Sequence, residues 1–441
     1  MEKFDIGIIG AGPAGLSAAS MLQEAGKKVV ILEEYLWGGT CPNYGCDPKK
    51  ILLAAVEAKE LADQMRLVGV VGEEKINWPD LMTHKMAYTT PIPSRKIASL
   101  DMAGIAHRYG HATFTDSHTV QCGDHTILAD TWIIATGARP RRLNIPGDEL
   151  LEDNEDFLNL ETMPDEIALI GGGFIAIEFA AIARAAGATV HILVHNETIL
   201  RGFDQKMAGT LVEQMEAKGI QFHWNFESSH VKKTANGLLL VDQSGHELGV
   251  ERAFLAAGRQ ANDDHLNLEA IGVELGHNGI QVGEDLRTTV DHVFAIGDVA
   301  DSPVAKLTPT GSFEGRYVAG LLLGMEPSVI KYPAIPEVVY GVPKFGQVGL
   351  SVIQAEKRGY TIHEIDMTNW QSYWRHQEPV AKATVILDDI GVLVGASVLS
   401  ASADELLNYF AVAINERQDL NTIKHRIYAY PSIGSDMPFF Y

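Results

Sequence analysis

The chain has few cysteines, fewer basic than acidic residues, and no long apolar run. Its three cysteines, Cys41, Cys46 and Cys122, exclude the disulfide framework that staples small secreted domains. In a cytosolic chain, a pair as close as Cys41 and Cys46 is more often catalytic or metal-binding. Lys and Arg total 35 against 57 Asp and Glu, a formal net charge of −22. That acidity disfavours nucleic acid or an anionic lipid surface as the general partner. No stretch of about 18 apolar residues occurs, so no membrane span is expected. The first residues enter a strand pattern at once, Phe4 to Ile9, without the basic leader and cleavage site of a secretion signal, so the expected location is cytoplasmic. Low-complexity tracts and short-period repeats are also missing. What remains is an ordinary globular composition, 46% hydrophobic and 21% charged over 441 residues. That length suggests about two to four domains.

The pattern is α/β. Asp5-Ile-Gly-Ile-Ile-Gly10 is an apolar run of buried-strand type, followed by a glycine turn, a helical stretch from Pro13 to Ala25, and the apolar run Val29 to Leu32. A second copy of this βαβ unit starts at Ile167, with a helix through Ala186 and a strand from Thr189 to Val194. Residues 51–65 and 80–107 look helical, and residues 111–136 look like short strands. Pro327, Pro333 and Pro336 mark a linker. Strand-like runs follow at Gln347–Leu350, Ala383–Leu387 and Val392–Ser400, then a helix from Ala403 to Glu416.

Both βαβ units carry a nucleotide fingerprint. In the first, Gly10-x-Gly12-x-x-Gly15, Gly10 permits the tight turn and Gly12 lets a pyrophosphate approach the backbone. Gly15 lets helix and strand pack closely. Glu33, ending the next strand, is placed to accept hydrogen bonds from a ribose, as the full strand–helix–strand context requires. In the second, Gly171-x-Gly173-x-x-Ala176, His195 stands where an NAD site places its acid and Arg201 follows. A ribose 2′-phosphate needs positive charge there, which points to NADPH over NADH.

The segment Gly38-Gly39-Thr40-Cys41-Pro-Asn-Tyr-Gly-Cys46-Asp-Pro-Lys49-Lys50 follows the first unit. Cys-x4-Cys is not zinc spacing, and no second Cys/His pair completes a tetrahedral site, so no metal is expected. Here the sequence resembles the FAD-dependent pyridine nucleotide-disulfide oxidoreductases, which include glutathione reductase, dihydrolipoamide dehydrogenase and mercuric reductase. Similar family motifs recur at Ala135-Thr136-Gly137-Ala-Arg-Pro140, Ala257-Gly258-Arg259 and Thr289 to Asp298, and at Leu307-Thr-Pro309 with Glu314-Gly-Arg316.

The resemblance implies an FAD domain in two segments, 1–150 and 263–330. It also implies an NAD(P) domain at 151–262 and a C-terminal α+β dimerisation domain at 331–441, hence a homodimer. It implies that Gly39, Thr40, Thr136, Gly137, Gly297 and Asp298 hold FAD. Phe174, the family's aromatic cover over the flavin, and Gly258 belong to the NADP site. It further implies that NADPH reduces the flavin, which passes electrons to a Cys41–Cys46 disulfide, with Cys46 facing the flavin and Cys41 attacking the acceptor. Glu178 pairs with a lysine, either Lys49 or Lys50.

The chain also departs from the family. Where disulfide-reducing relatives carry an acid/base histidine and a glutamate from the partner subunit, this chain has Tyr430 and Ser435, with Asp436 next. A tyrosine titrates near pH ~10 against ~6.5 for histidine, so it is a poor proton shuttle at neutral pH. Met21 replaces an arginine that holds glutathione. The exposed-looking aromatics Phe439 to Tyr441 are placed either in a pocket or at a dimer interface. Three readings stand open. One is a reductase of disulfides or related acceptors, a second is a flavin reductase of quinones, metal ions or oxygen, and a third is a flavin-containing redox sensor.

Overall fold

A computed structural model describes residues 1–66 and 68–440. Tyr441, the end of the aromatic terminus, lies outside them. Contacts divide the chain into two units. The first comprises Met1–Lys49, His84–Arg141 and Arg259–Lys331; the second comprises Lys50–Thr83, Arg142–Gly258 and Tyr332–Tyr441.

The first unit is built on a seven-stranded sheet, parallel at its centre and antiparallel toward one edge. Glu2–Ile9 is central, with Ile6 opposite Val29 of Val29–Glu33 on one side and opposite Thr131 of His125–Ile134 on the other. Ile8, Val30, Ile31 and Ile133 are fully buried, because a parallel strand covered on both faces must be apolar throughout. The helix Pro13–Glu24 begins with proline at its first position and packs against the helix Thr308–Leu322. That approach is tight: a Cβ on Gly315 would lie 2.3 Å from the Ala14 carbonyl oxygen.

The helical stretch expected over 80–107 is instead two helices, Trp78–Thr89 and Ile92–Ala103, separated at Thr90-Pro91. Gly104 closes the second in the left-handed conformation, φ 69°. The residues beyond leave the helix as the strand Ala106–Tyr109, which pairs with Val29–Glu33.

The second unit holds three sheets. Glu166–Ile170 and Thr189–Val194 lie in a four-stranded parallel sheet, with Ile220–Trp224 beyond one and Arg252–Leu255 beyond the other. A three-stranded antiparallel sheet follows. The C-terminal region is a five-stranded antiparallel sheet, and the helix Ala403–Asn415 lays Leu406, Leu407 and Phe410 on it, all fully buried. Its edge strand Thr361–Asp366 is missing from the sequence reading, because it is buried on neither face and has no apolar run. Of the C-terminal aromatics, Phe440 is fully buried against Phe410 and Trp370, whereas Phe439 is exposed.

Candidate active site

In the first unit the fingerprint turn has the geometry its glycines require. Gly10 has φ 109°, and a Cβ there would lie 2.2 Å from the Ala135 carbonyl oxygen. Gly15 packs the helix on the strand so closely that a Cβ would lie 2.1 Å from the Gly10 oxygen. Gly12 caps the helix in extended conformation with no side-chain cap, which leaves the first amides available to an anion. Gly39, φ 69°, backs onto Gly12, and a Cβ on it would stand 2.6 Å from the Gly12 Cα. The second glycine turn is thus seated on the first.

Glu33 accepts the Ala11 amide through Oε2 at 2.9 Å and the Glu34 and Tyr35 amides through Oε1. Burial pushes its carboxyl above the usual range, while these amides pull the other way. Thr136 and Gly137 are tied to Asn262. Thr136 Oγ1 donates to the Asn262 carbonyl at 2.6 Å, and the Asn262 amide donates to the Gly137 carbonyl at 2.9 Å. Asp298 lies in the turn Gly297–Val299, half-buried.

A residue outside the sequence-predicted set holds that turn. Glu314, 1% exposed, accepts the Gly297 amide at 2.6 Å and the Ser302 hydroxyl at 3.3 Å. The Glu314-Gly-Arg316 motif was its only signal. Thr310, in the first turn of the same helix, is buried with its hydroxyl unpartnered. Uncapped amides at Gly12, a glycine cradle at Gly39 and this orphan hydroxyl fit the pyrophosphate and polar ring edge of a flavin dinucleotide.

The cysteines sit on the chain that leaves this cradle. Cys41 lies in the short helix Thr40–Tyr44 and Cys46 opens the long helix Cys46–Met65; both are thiols. Gly45 separates the two helices, and a Cβ there would lie 2.8 Å from the Thr40 carbonyl oxygen. Cys46 Sγ is 3.7 Å from the hydroxyl of Thr308, first residue of the helix Thr308–Leu322. Two helix N-termini therefore adjoin Cys46, and their field favours a thiolate. Cys41 is pushed far above the usual thiol range, first by its hydrogen bond to Cys46, then by burial, by the charge of Cys46 and by Asp47. Thr308 opposes the shift. Cys122 is fully buried, and its S–H donates to the Gly110 carbonyl at 3.3 Å.

In the second unit, Gly171 has φ 132° with the Ala256 carbonyl against it, and Gly173 caps the helix Phe174–Ala185 without a side-chain bond. Ala176 is buried, Phe174 is 43% exposed, and Gly258 has φ 102°. Arg201 Nη2 donates to His195 Nε2 at 3.0 Å, so this ring nitrogen is an acceptor and the ring proton sits on Nδ1. Lys50 reaches Glu178 at 2.8 Å, and Lys49, the other lysine candidate, is buried. Glu178, 1% exposed, also accepts the Tyr340 amide at 3.0 Å, and Lys50 Nζ lies 4.1 Å from the Tyr340 ring centroid. Tyr430 is 80% exposed, Ser435 caps its own turn with Ser432, and Asp436 is buried. Met21 packs partly buried on the core of the first unit. Among the described residues no group of three potential ligands could hold a metal ion, and no helix is long and apolar enough to cross a membrane.

Comparisons with known proteins agree with this geometry. Residues 4–315 match the model of the pyridine nucleotide-disulphide oxidoreductases, and residues 335–438 match that family's dimerisation domain. The chain is 31% identical to glutathione reductase of Nostoc sp. over 430 residues, 93% of each chain. It is 29% identical to dihydrolipoyl dehydrogenase of Geobacillus stearothermophilus over 440 residues, 97% of this chain and 93% of the relative. The fold matches that of the HOCl-induced flavoprotein disulfide reductase RclA from Escherichia coli, solved as a Cu(II) complex. The TM-score is 0.90 at 24% identity, covering 100% of this chain and 99% of the other.

Proposed function

Because the chain belongs to the pyridine nucleotide-disulphide oxidoreductases, enzymes that use FAD and NAD(P)H, we propose that it is an NADPH-dependent reductase working through a Cys41–Cys46 dithiol on a disulfide or related acceptor. The observation that carries this reading is the asymmetry of the cysteines. Cys46 stands at two helix N-termini, where a thiolate is stabilised, and Cys41 keeps its proton beside it. Bound FAD would supply two-electron transfer between the nicotinamide and this pair. Glu33, the amides at Gly12 and the Gly297–Asp298 turn braced by Glu314 would hold it.

His195 and Arg201, in contact at 3.0 Å, support NADPH, since a guanidinium in place of an acid would favour a 2′-phosphate. By the family resemblance Glu178, with Lys49 or Lys50, and Phe174 are proposed as site residues. The proposal includes a homodimer, through the dimerisation domain, and a cytoplasmic location.

A second reading draws on the C-terminal segment. With Tyr430 and Ser435 in place of a histidine and a glutamate, acceptors that need no such acid, namely quinones, metal ions or oxygen, are favoured over glutathione disulfide. Steady-state NADPH oxidation with each acceptor, in wild type and Cys41→Ser, separates the two. Turnover that needs Cys41 supports the dithiol route, and turnover that survives its loss supports direct reduction by the flavin. Stoichiometric reduction followed by silence would defeat both and leave a redox sensor.

A further inference from the structure

The residue after Cys46 is an acid, Asp47, in the first turn of the helix Cys46–Met65. Its two oxygens are separately engaged. Oδ1 accepts the Cys41 S–H at 3.7 Å, and Oδ2 accepts the hydroxyl of Tyr88, near the end of the helix Trp78–Thr89, at 3.0 Å. The carboxylate is thus aimed at the thiol by a tyrosine 41 residues away. Tyr88 feels it, because the bond to Asp47, and then its charge, hold the phenol above its usual range. The helix N-terminus stabilises the negative charge where it stands. The groups facing this arrangement are Cys46, Thr308, Tyr88 and Arg95, whose charge reaches Tyr88.

We propose that Asp47, oriented by Tyr88, determines acceptor specificity at Cys41, selecting neutral and cationic disulfides over anionic ones. The proposal rests on the reading of Cys41 as the thiol that meets the acceptor. In that reaction Cys41 Sγ bonds one acceptor sulfur, the acceptor S–S bond breaks, and the departing thiolate takes the proton Cys41 gives up. Cys46 thiolate then attacks Cys41 Sγ, forming the intrachain disulfide and expelling the second thiolate. The dithiol is oxidised by two electrons and the acceptor reduced by two. Throughout, any carboxylate on the acceptor must approach a fixed carboxylate in van der Waals reach of the reacting sulfur. At such distances one unit charge is worth roughly five- to tenfold in rate, even with water nearby. The same carboxylate adds to Cys46 and to burial in keeping the proton on Cys41, a second brake that an acceptor ammonium would relieve.

The test uses NADPH-reduced holoprotein. Neutral iodoacetamide and anionic iodoacetate alkylate Cys41, followed peptide by peptide by mass spectrometry. In Asp47→Asn the iodoacetate-to-iodoacetamide rate ratio should rise about five- to tenfold, and in Tyr88→Phe it should rise by less. Molar salt should raise the wild-type ratio toward that of Asp47→Asn. In turnover, the preference for cystamine, a dication, over oxidised glutathione, an anion, should fall by a similar factor in Asp47→Asn. A ratio unchanged in Asp47→Asn overturns the proposal, and if that variant does not fold, an unchanged ratio in Tyr88→Phe and at high salt overturns it equally. Disulfide turnover that persists in Cys41→Ser would instead defeat the underlying reading, while the alkylation ratio still reports on Asp47.

Discussion

Lys50 Nζ donates to Glu178 Oε2 at 2.8 Å across 128 residues of sequence, and it does so against a carboxylate that is 1% exposed. A buried carboxylate that loses a cationic neighbour is destabilised, whereas loss of both members of the pair is milder. Lys50→Met should therefore destabilise the protein by about 3 kcal/mol. Lys50→Met with Glu178→Leu should recover part of that loss. Thermal melts of the single and double variants check this, and equal losses in the two would contradict it.

Arg201→Ala should weaken NADPH by about tenfold or more and NADH little, because a charge-assisted bond to the 2′-phosphate is worth about 1.5–3 kcal/mol. His195→Asp should shift preference toward NADH, since an acid there repels the phosphate and accepts ribose hydroxyls. Kd values for both nucleotides test this, and equal losses for the two would refute it.

Anaerobic reductive titration should consume about four electrons per chain, two for the flavin and two for the dithiol, and about two in Cys46→Ser. A wild-type value of two would remove the dithiol from the electron path.

Tyr430→His with Ser435→Glu should raise turnover of disulfides while leaving flavin reduction by NADPH unchanged, because an imidazole titrates near ~6.5 and a phenol near ~10. Efficient reduction of glutathione disulfide by wild type, insensitive to Tyr430→Phe, would refute this account of the C-terminal segment.

Burial pushes the Glu378 carboxyl up to about 7, and one bond from the Ala401 amide only partly offsets it. The folded state therefore holds this proton more tightly than the unfolded chain does. Its contribution to stability is complete below the unfolded value near ~4.3 and is lost as pH rises through about 7. The loss by pH 8 is about 3 kcal/mol. Glu378→Gln should stabilise the protein at pH 8 and leave it nearly unchanged at pH 4, which melts at the two pH values will show.

The local backbone was legible in the residues. Gly10, Gly15, Gly39 and Gly171 are demanded by turns and close approaches that strain any other residue, and the glycine pattern announced two dinucleotide folds. The burial of Glu2–Ile9 and of the helix Ala403–Asn415 followed from apolar period. The spacing of Cys41 and Cys46, by contrast, pointed to chemistry but not to its environment.

Only the tertiary structure decided which side chains meet. It brought Lys50 to Glu178, set Thr308 against Cys46 across 262 residues, and brought Tyr88 to Asp47. It turned Glu314 onto the Gly297 turn and buried Phe440 while leaving Phe439 exposed. The physical reason is range. A φ angle or an apolar stripe is a property of a few neighbouring residues. An ion pair or a thiol–carboxylate bond depends on where distant segments return, which is set by the packing of whole sheets and helices and leaves no periodic trace in the chain.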